Sequence, residues 1–288
     1  MTFRLAKCTG NTTTNKCTNI GTIPVSKFDR GGRNAYLCPE CARRLYGYHD
    51  ENKQMRGKEK KNNFTFSFEL ETHGNANGSL GADLKGRMEL AGLGFLPTSD
   101  CTVDIEFKSP IYDGLNAPIK ATTSINRLLV LNHISIDDEC GTHFHVGHKT
   151  KINSVTMNYI RRFCNSLFVP LSDAIENDSV KAENFFGRGF NSWAYPIRES
   201  SHAMTHENFI NMQHENTLEF RIAYFRNDEQ YKQVMRFAKD VTACIITNFI
   251  DNFNKCDSTD SQKVTEYRKH KAQVTAKKLV KIYEKYTR

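Results

Sequence analysis

The sequence has no run of about 18 apolar residues, so no membrane-spanning helix and no membrane partner are expected. Its first residues, MTFRLAKCTGNTTTNKC, lack the apolar h-region of a signal peptide, and a cytoplasmic protein is expected. No glycine-rich GxxxxGK(S/T) stretch occurs, so a phosphate-loop mechanism is not indicated. Internal repeats and low-complexity tracts are missing as well. What remains is 288 residues of ordinary apolar and charged content, enough for one large domain with a sizeable core and a small appendage.

The net charge of +8 is unevenly spread. Residues 1–62 hold 13 Lys and Arg against 5 Asp and Glu, and residues 263–288 hold 9 against 2. The middle, 63–262, holds 18 against 25. Two basic ends around an acidic body suit an anionic partner, such as nucleic acid or a phosphorylated surface. Plain solvation of exposed helices and a linker produces the same pattern.

The nine cysteines fall into two groups. Cys8, Cys17, Cys38 and Cys41 lie within the first 41 residues, and the other five are scattered. Cys38 and Cys41 flank Pro39 and Glu40, a tight turn that lets two thiolates reach one ion. The Cys8/Cys17 pair is wider than the usual knuckle. Four thiolates suit tetrahedral Zn(II), and a cytosolic chain disfavours a disulfide framework. A zinc-binding module is therefore expected over residues 1–46, where too little apolar surface exists for folding by burial alone. Residues 47–62, GYHDENKQMRGKEKKN, read as a charged linker.

The remainder, 63–288, reads as an α+β domain. In FTFSFELETHG, Phe64, Phe66, Phe68 and Leu70 alternate with Thr65, Ser67, Glu69 and Glu71, the period of a strand with one oily face. CTVDIEFKSPI (101–111) is a second strand and carries Asp104 and Glu106 after Asp100. CGTHFHVG (140–147) interleaves His143 and His145 with Phe144 and Val146. ENTLEFRIAYF (215–225) sets Leu218, Phe220 and Ile222 against Thr217, Glu219 and Arg221. Residues 83–94 read as a short helix, 152–178 and 228–254 as amphipathic helices, and 259–287 as a basic helix. The stretch 123–134 fits a helix or a strand.

Each polar pair at spacing two shares one side of its strand. Taken singly, each is what an exposed sheet face carries. Gathered on one antiparallel sheet, they would bring about four carboxylates, two imidazoles and a guanidinium together, and such anions repel one another without cations. Oxygen-rich ligands with some imidazole suit Mg(II) or Mn(II), and an arginine beside them suits a phosphate.

FELETHG, DIEFKSPI, CGTHFHVG and TLEFR, in this order, resemble the motifs of the amidoligase family, part of the carboxylate–amine ligase superfamily that includes glutamine synthetase and the glutamate–cysteine ligases. The resemblance covers about residues 63 to 226. GRGFNSWAYPI (187–197) is similar to the family's arginine-then-aromatic stretch, which makes Arg188 the matching arginine. Asn211 matches the asparagine ahead of the last strand. Ser67 and Cys101 stand where the family has glycines. The cysteine module and the basic terminal helix lie outside the resemblance.

The resemblance implies a curved antiparallel sheet of glutamine synthetase type with flanking helices, and ATP-dependent formation of a peptide or isopeptide bond. A carboxylate would become an acyl phosphate, and an amine would then displace phosphate. The resemblance assigns Mg(II) or Mn(II) to Glu69, Glu71, Glu106, His143 and Glu219. It assigns the transferred phosphate to Arg221 and Arg188, ATP phosphate or developing charge to His145, and nucleotide binding to Asn211. Glu71, His145, Arg221 and Arg188 are thereby the catalytic candidates. The substrates would be ATP, a carboxylate and an amine, drawn from amino acids, peptides or protein side chains. Two other readings use the same residues. A metal-dependent hydrolase would activate water with these ligands. A nucleic-acid-binding protein would act through its zinc module and basic helix, with an inert body.

Overall fold

In a computed structural model, residues 63–73, 105–116, 118–119, 136, 140–190, 194–198, 207–223 and 228–288 are described, with three strand segments at 23–25, 35–37 and 96–98. Cys8, Cys17, Cys38 and Cys41, the linker 47–62, Asp100, Cys101 and Asp104, and the segments 83–94 and 123–134 lie outside the described residues. In chain order the elements are β1 (Ile23–Val25), β2 (Ala35–Leu37), β3 (Phe64–Thr72), β4 (Leu96–Thr98), β5 (Ile105–Lys108), β6 (Tyr112–Asp113), β7 (Thr142–His148), α1 (Ser154–Arg162), α2 (Cys164–Asn177), α3 (Ser179–Phe186), β8 (Ile210–Asn211), β9 (Thr217–Ala223), α4 (Asp228–Asn248), a single 3-10 turn (Ile250–Asn252) and α5 (Ser261–Tyr286). The fold is α+β with an open antiparallel sheet.

The chain divides into two compact units. One comprises Met1–Met55, Glu71–Ile111 and Ser124–Asp137. Within it β1 pairs with β2, and β4 pairs with β5, both antiparallel, with Thr98 opposite Glu106. The other unit comprises Arg56–Leu70, Tyr112–Thr123 and Asp138–Arg288.

In the second unit the period-two sequences become neighbouring strands. β3 runs antiparallel to β7, in register from Phe64 opposite His148 to Leu70 opposite Thr142. β6 pairs with β3 on its other edge, where Thr65 faces Asp113. β9 pairs with β7, and β8 with β9. Directly opposed residues share a face, so Phe68, Phe144 and Phe220 form one row and Phe66, Val146 and Leu218 the next. All six are buried. Each such side chain contributes about 1.5–3 kcal/mol on burial.

α4 covers this oily face. The Tyr231 ring lies 5.7 Å from Phe68 and 4.6 Å from Phe144, and Phe237 meets Phe220. The periodic positions Val234, Phe237, Val241, Cys244 and Ile245 are all buried, as expected of the inward stripe of an amphipathic helix. α2 and α4 both pack on α5. The stretch 152–178, read as one helix, is two: Phe163 at φ −115° separates α1 from α2 while its ring stays in the core. α1 begins with a capping box in which Asn153 Oδ1 accepts from the Val155 and Thr156 amides and Thr156 Oγ1 accepts from the Asn153 amide. α3 ends at Gly187, whose φ of 89° is the left-handed cap that favours glycine.

Two irregularities matter for the polar face. β7 and β9 change register between Thr142 and Phe144, which face Ala223 and Phe220, so β9 carries one extra residue opposite His143. Such a bulge re-aims a side chain, and here it falls at Arg221 and Ile222. Gly147 lies where β7 passes Thr65 of β3 and the start of β9; a Cβ there would meet Thr65 Oγ1 at 2.5 Å and the Asn216 carbonyl at 2.9 Å.

Candidate metal centre

The face opposite the aromatic rows collects the charged residues. Glu69 of β3 is directly opposed to His143 of β7, and His145 is opposed to both Ser67 and Glu219. Asn211 of β8 is opposed to Glu219. Strand register alone therefore converges residues separated by up to 150 positions, because the site is written across four adjacent strands.

His143 Nδ1 is the hub. Glu69 Oε2, Glu219 Oε1 and Arg221 Nη1 each lie 3.4 Å from it. These separations are long for hydrogen bonds, which cluster at about 2.7–3.2 Å. The two carboxylate–imidazole separations match a different geometry: two atoms each bound to one ion at roughly 2.0–2.2 Å sit about 2.8–3.6 Å apart. The ligand atoms of Glu69, His143 and Glu219 all fall within 4.8 Å of one another. Two carboxylates and one imidazole suit Mn(II) or Mg(II), so the donor set fits the cation expected from the sequence.

The other contacts are short and fix Glu219 from every side. Oε1 accepts from Arg221 Nη1 at 2.7 Å. Oε2 accepts from Asn211 Nδ2 at 2.6 Å and lies 2.8 Å from His214 Nε2. Burial by itself would raise the pKa of this carboxyl. The His214 hydrogen bond, with His143, His145 and Arg221 nearby, outweighs burial and holds it well below the usual carboxylate range. Glu219 is thus held in its ionised form at neutral pH.

Two buried polar atoms on this face are left over. His145 Nε2 and Arg221 Nε have no hydrogen-bond partner among the described residues. Such groups are costly to bury and call for an explanation, an unseen ligand being one. His145 Nε2 lies 3.5 Å from Glu69 Oε1, and both groups point at the same region of the face.

Of the sequence candidates, Glu69, His143, His145, Asn211, Glu219 and Arg221 meet here. Arg188 is close by but committed: Nη2 donates to the Arg221 carbonyl at 3.0 Å and Nη1 to the Cys140 carbonyl at 3.4 Å. Glu71 and Glu106 belong to the other unit, where both are buried and Glu106 pairs with Lys108 at 3.6 Å. His214 was not foreseen from the sequence. Its signal was weak: an isolated histidine in the turn between β8 and β9, brought to Glu219 only by the hairpin that also pairs Asn211 with that residue. No protein-family model matches the chain, and none of the curated proteins matches it.

Proposed function

We propose that this face binds ATP through a divalent cation and joins a carboxylate to an amine, the chemistry implied by the resemblance to the amidoligase family and its glutamine synthetase-like sheet. The observation that carries the reading is the meeting of half-buried Glu69 with buried His143 and Glu219, each carboxylate 3.4 Å from His143 Nδ1, beside Arg221. Mg(II) or Mn(II) held by these three would neutralise phosphate charge.

The chain's own groups do the rest. Arg221 offers its unpaired Nε to a phosphate oxygen while Nη1 stays on Glu219. Asn211 holds the Glu219 carboxylate in place, so the ligand needs no reorganisation when charge develops. His145, opposed to Glu219 across the strands, brings its ring to the same region and adds to the field around the developing charge. Arg188 ties β7 to β9 through the Cys140 and Arg221 carbonyls and acts as a positioning residue. In the reaction a substrate carboxylate oxygen attacks the γ-phosphorus, and the bond to ADP breaks. The amine nitrogen then attacks the acyl carbon, the bond to phosphate breaks, and the nitrogen's surplus proton goes to solvent.

The test is incubation of the full chain with ATP, Mg(II) and pools of amino acids, peptides and amines, followed by mass spectrometry. The expected result is a product one water lighter than its two parents, formed only with ATP. Cleavage of a peptide or nucleic acid without ATP would identify a hydrolase instead.

A further inference from the structure

We propose that His145, His214 and Glu219 form a second cation site on the same face, for a late first-row divalent ion of the Zn(II) class. This goes beyond the ligase reading and does not depend on it.

The three donor atoms lie within 4.8 Å of one another. The His145 and His214 rings are 5.0 Å apart and inclined at 74°, edge toward face, so two imidazole nitrogens can address one point without stacking. His145 Nε2 is the buried atom without a hydrogen-bond partner among the described residues, on a side chain only 9% exposed. Glu219 presents Oε1 to His143 and Oε2 to His214, so one carboxylate can bridge the two centres. The donor sets differ in kind. Two carboxylates and one imidazole favour Mg(II) or Mn(II), whereas two imidazoles and one carboxylate favour Zn(II) and its neighbours.

His214 is 45% exposed, which gives an ion a way in. Exposure would ordinarily mean a loose ligand, but the turn that carries it is fastened. Arg161 of α1 donates Nε to the Met212 carbonyl at 2.7 Å, and Nη2 to the Gln213 and His214 carbonyls at 3.0 and 3.1 Å. Its Nη1 is anchored on Asn158 Oδ1 at 2.8 Å. Asn211 Oδ1 accepts the Gln213 amide at 2.9 Å. One guanidinium thus gathers three consecutive carbonyls and fixes the backbone from which His214 reaches Glu219. Arg161 is a positioning residue for this site.

The test uses the full chain, stripped with chelator, kept reduced, and titrated with Co(II) while visible absorption is followed. Wild type, His214→Ala and Arg161→Ala all retain the cysteine cluster, so any thiolate-bound cobalt is common to the three. Wild type is expected to bind one more Co(II) than His214→Ala, and Zn(II) but not Mg(II) is expected to displace it. Arg161→Ala should keep that equivalent with at least tenfold weaker affinity. Equal Co(II) stoichiometry and affinity in wild type and His214→Ala would overturn the proposal. Mg(II)–ATP binding on the same samples separates the two readings. A His214-dependent Co(II) without Mg(II)–ATP binding upholds this site against the ligase, and Mg(II)–ATP binding with unchanged Co(II) stoichiometry does the reverse.

Discussion

Glu219 uses both carboxylate oxygens, on Arg221, Asn211 and His214, and is buried while doing so. Its folded pKa is depressed, so the ionised form contributes stability above the ordinary glutamate value of 4.5, and that contribution is lost as pH falls from there toward the folded value. Glu219→Gln is expected to cost about 3 kcal/mol at neutral pH, because it leaves a buried guanidinium without its counter-charge. The variant should also lose less stability than wild type on acidification, which denaturant unfolding at pH 7 and at pH 3–4 would reveal. Arg221→Lys tests the phosphate grip: a compact ammonium cannot both hold Glu219 and present a second donor, so turnover should fall by about two orders of magnitude. Glu69, His143, His145, Glu219 and Arg221 were legible in the sequence, since spacing two marks the polar face of each strand and β3, β7 and β9 are neighbours. His214 and Arg161 were not. Their roles arise from the register of a hairpin and from a side chain crossing from a helix 50 residues away, neither of which has a local pattern.

At the scale of the element, strand period and helix period told most of the story. β3, β7 and β9 lie where alternation placed them, and the apolar stripe of α4 is the stripe in the core. The core face of α5 was harder to read. Alongside Leu279 and Tyr283 it buries Ala272, Thr275 and Ala276, and small side chains that let helices approach closely carry little hydrophobic signal. Gly147 was visible within CGTHFHVG, but its reason is tertiary. Gly147→Ala should destabilise the sheet by about 1–3 kcal/mol, measurable by denaturant unfolding, because the Asn216 carbonyl cannot give way as a side chain would. Buried tyrosines of β6, α4 and α5 make stability fall at alkaline pH. Burial, aided by Asp178, pushes Tyr283 from 10.0 up to about 12, and burial raises Tyr112 and Tyr231 as well. A raised folded pKa means that stability is fully present below 10 and falls as pH climbs from there toward 12. Tyr283→Phe keeps the ring that stacks on Phe186 and should make this decline shallower in unfolding experiments across that range.

For the molecule as a whole, α5 is both wall and surface. Its buried side closes the core against α2 and α4, with the Tyr286 hydroxyl on Asp240 at 2.9 Å, while Lys269, Lys277, Lys281 and Lys285 are exposed. Removing residues 261–288 deletes Leu279 and Tyr283, at about 2–5 kcal/mol each, a large share of the roughly 5–15 kcal/mol that holds an ordinary domain together. The shortened chain should lose its cooperative melting transition in calorimetry; an unchanged transition would mean that α5 is an appendage. Among the described residues no helix is long and apolar enough to cross a membrane. On the proposed reading, a ligand binds against the charged face of the sheet. If that ligand is a cation carrying ATP phosphates, ADP release should require Mg(II) or Mn(II) together with a carboxylate and an amine. The most direct measurement is ADP release by wild type and Glu69→Gln with the same substrate pools. Ligation at this face predicts amine-dependent release in wild type, reduced at least a hundredfold in the variant. Equal release by the two proteins, or release indifferent to the amine, would contradict it.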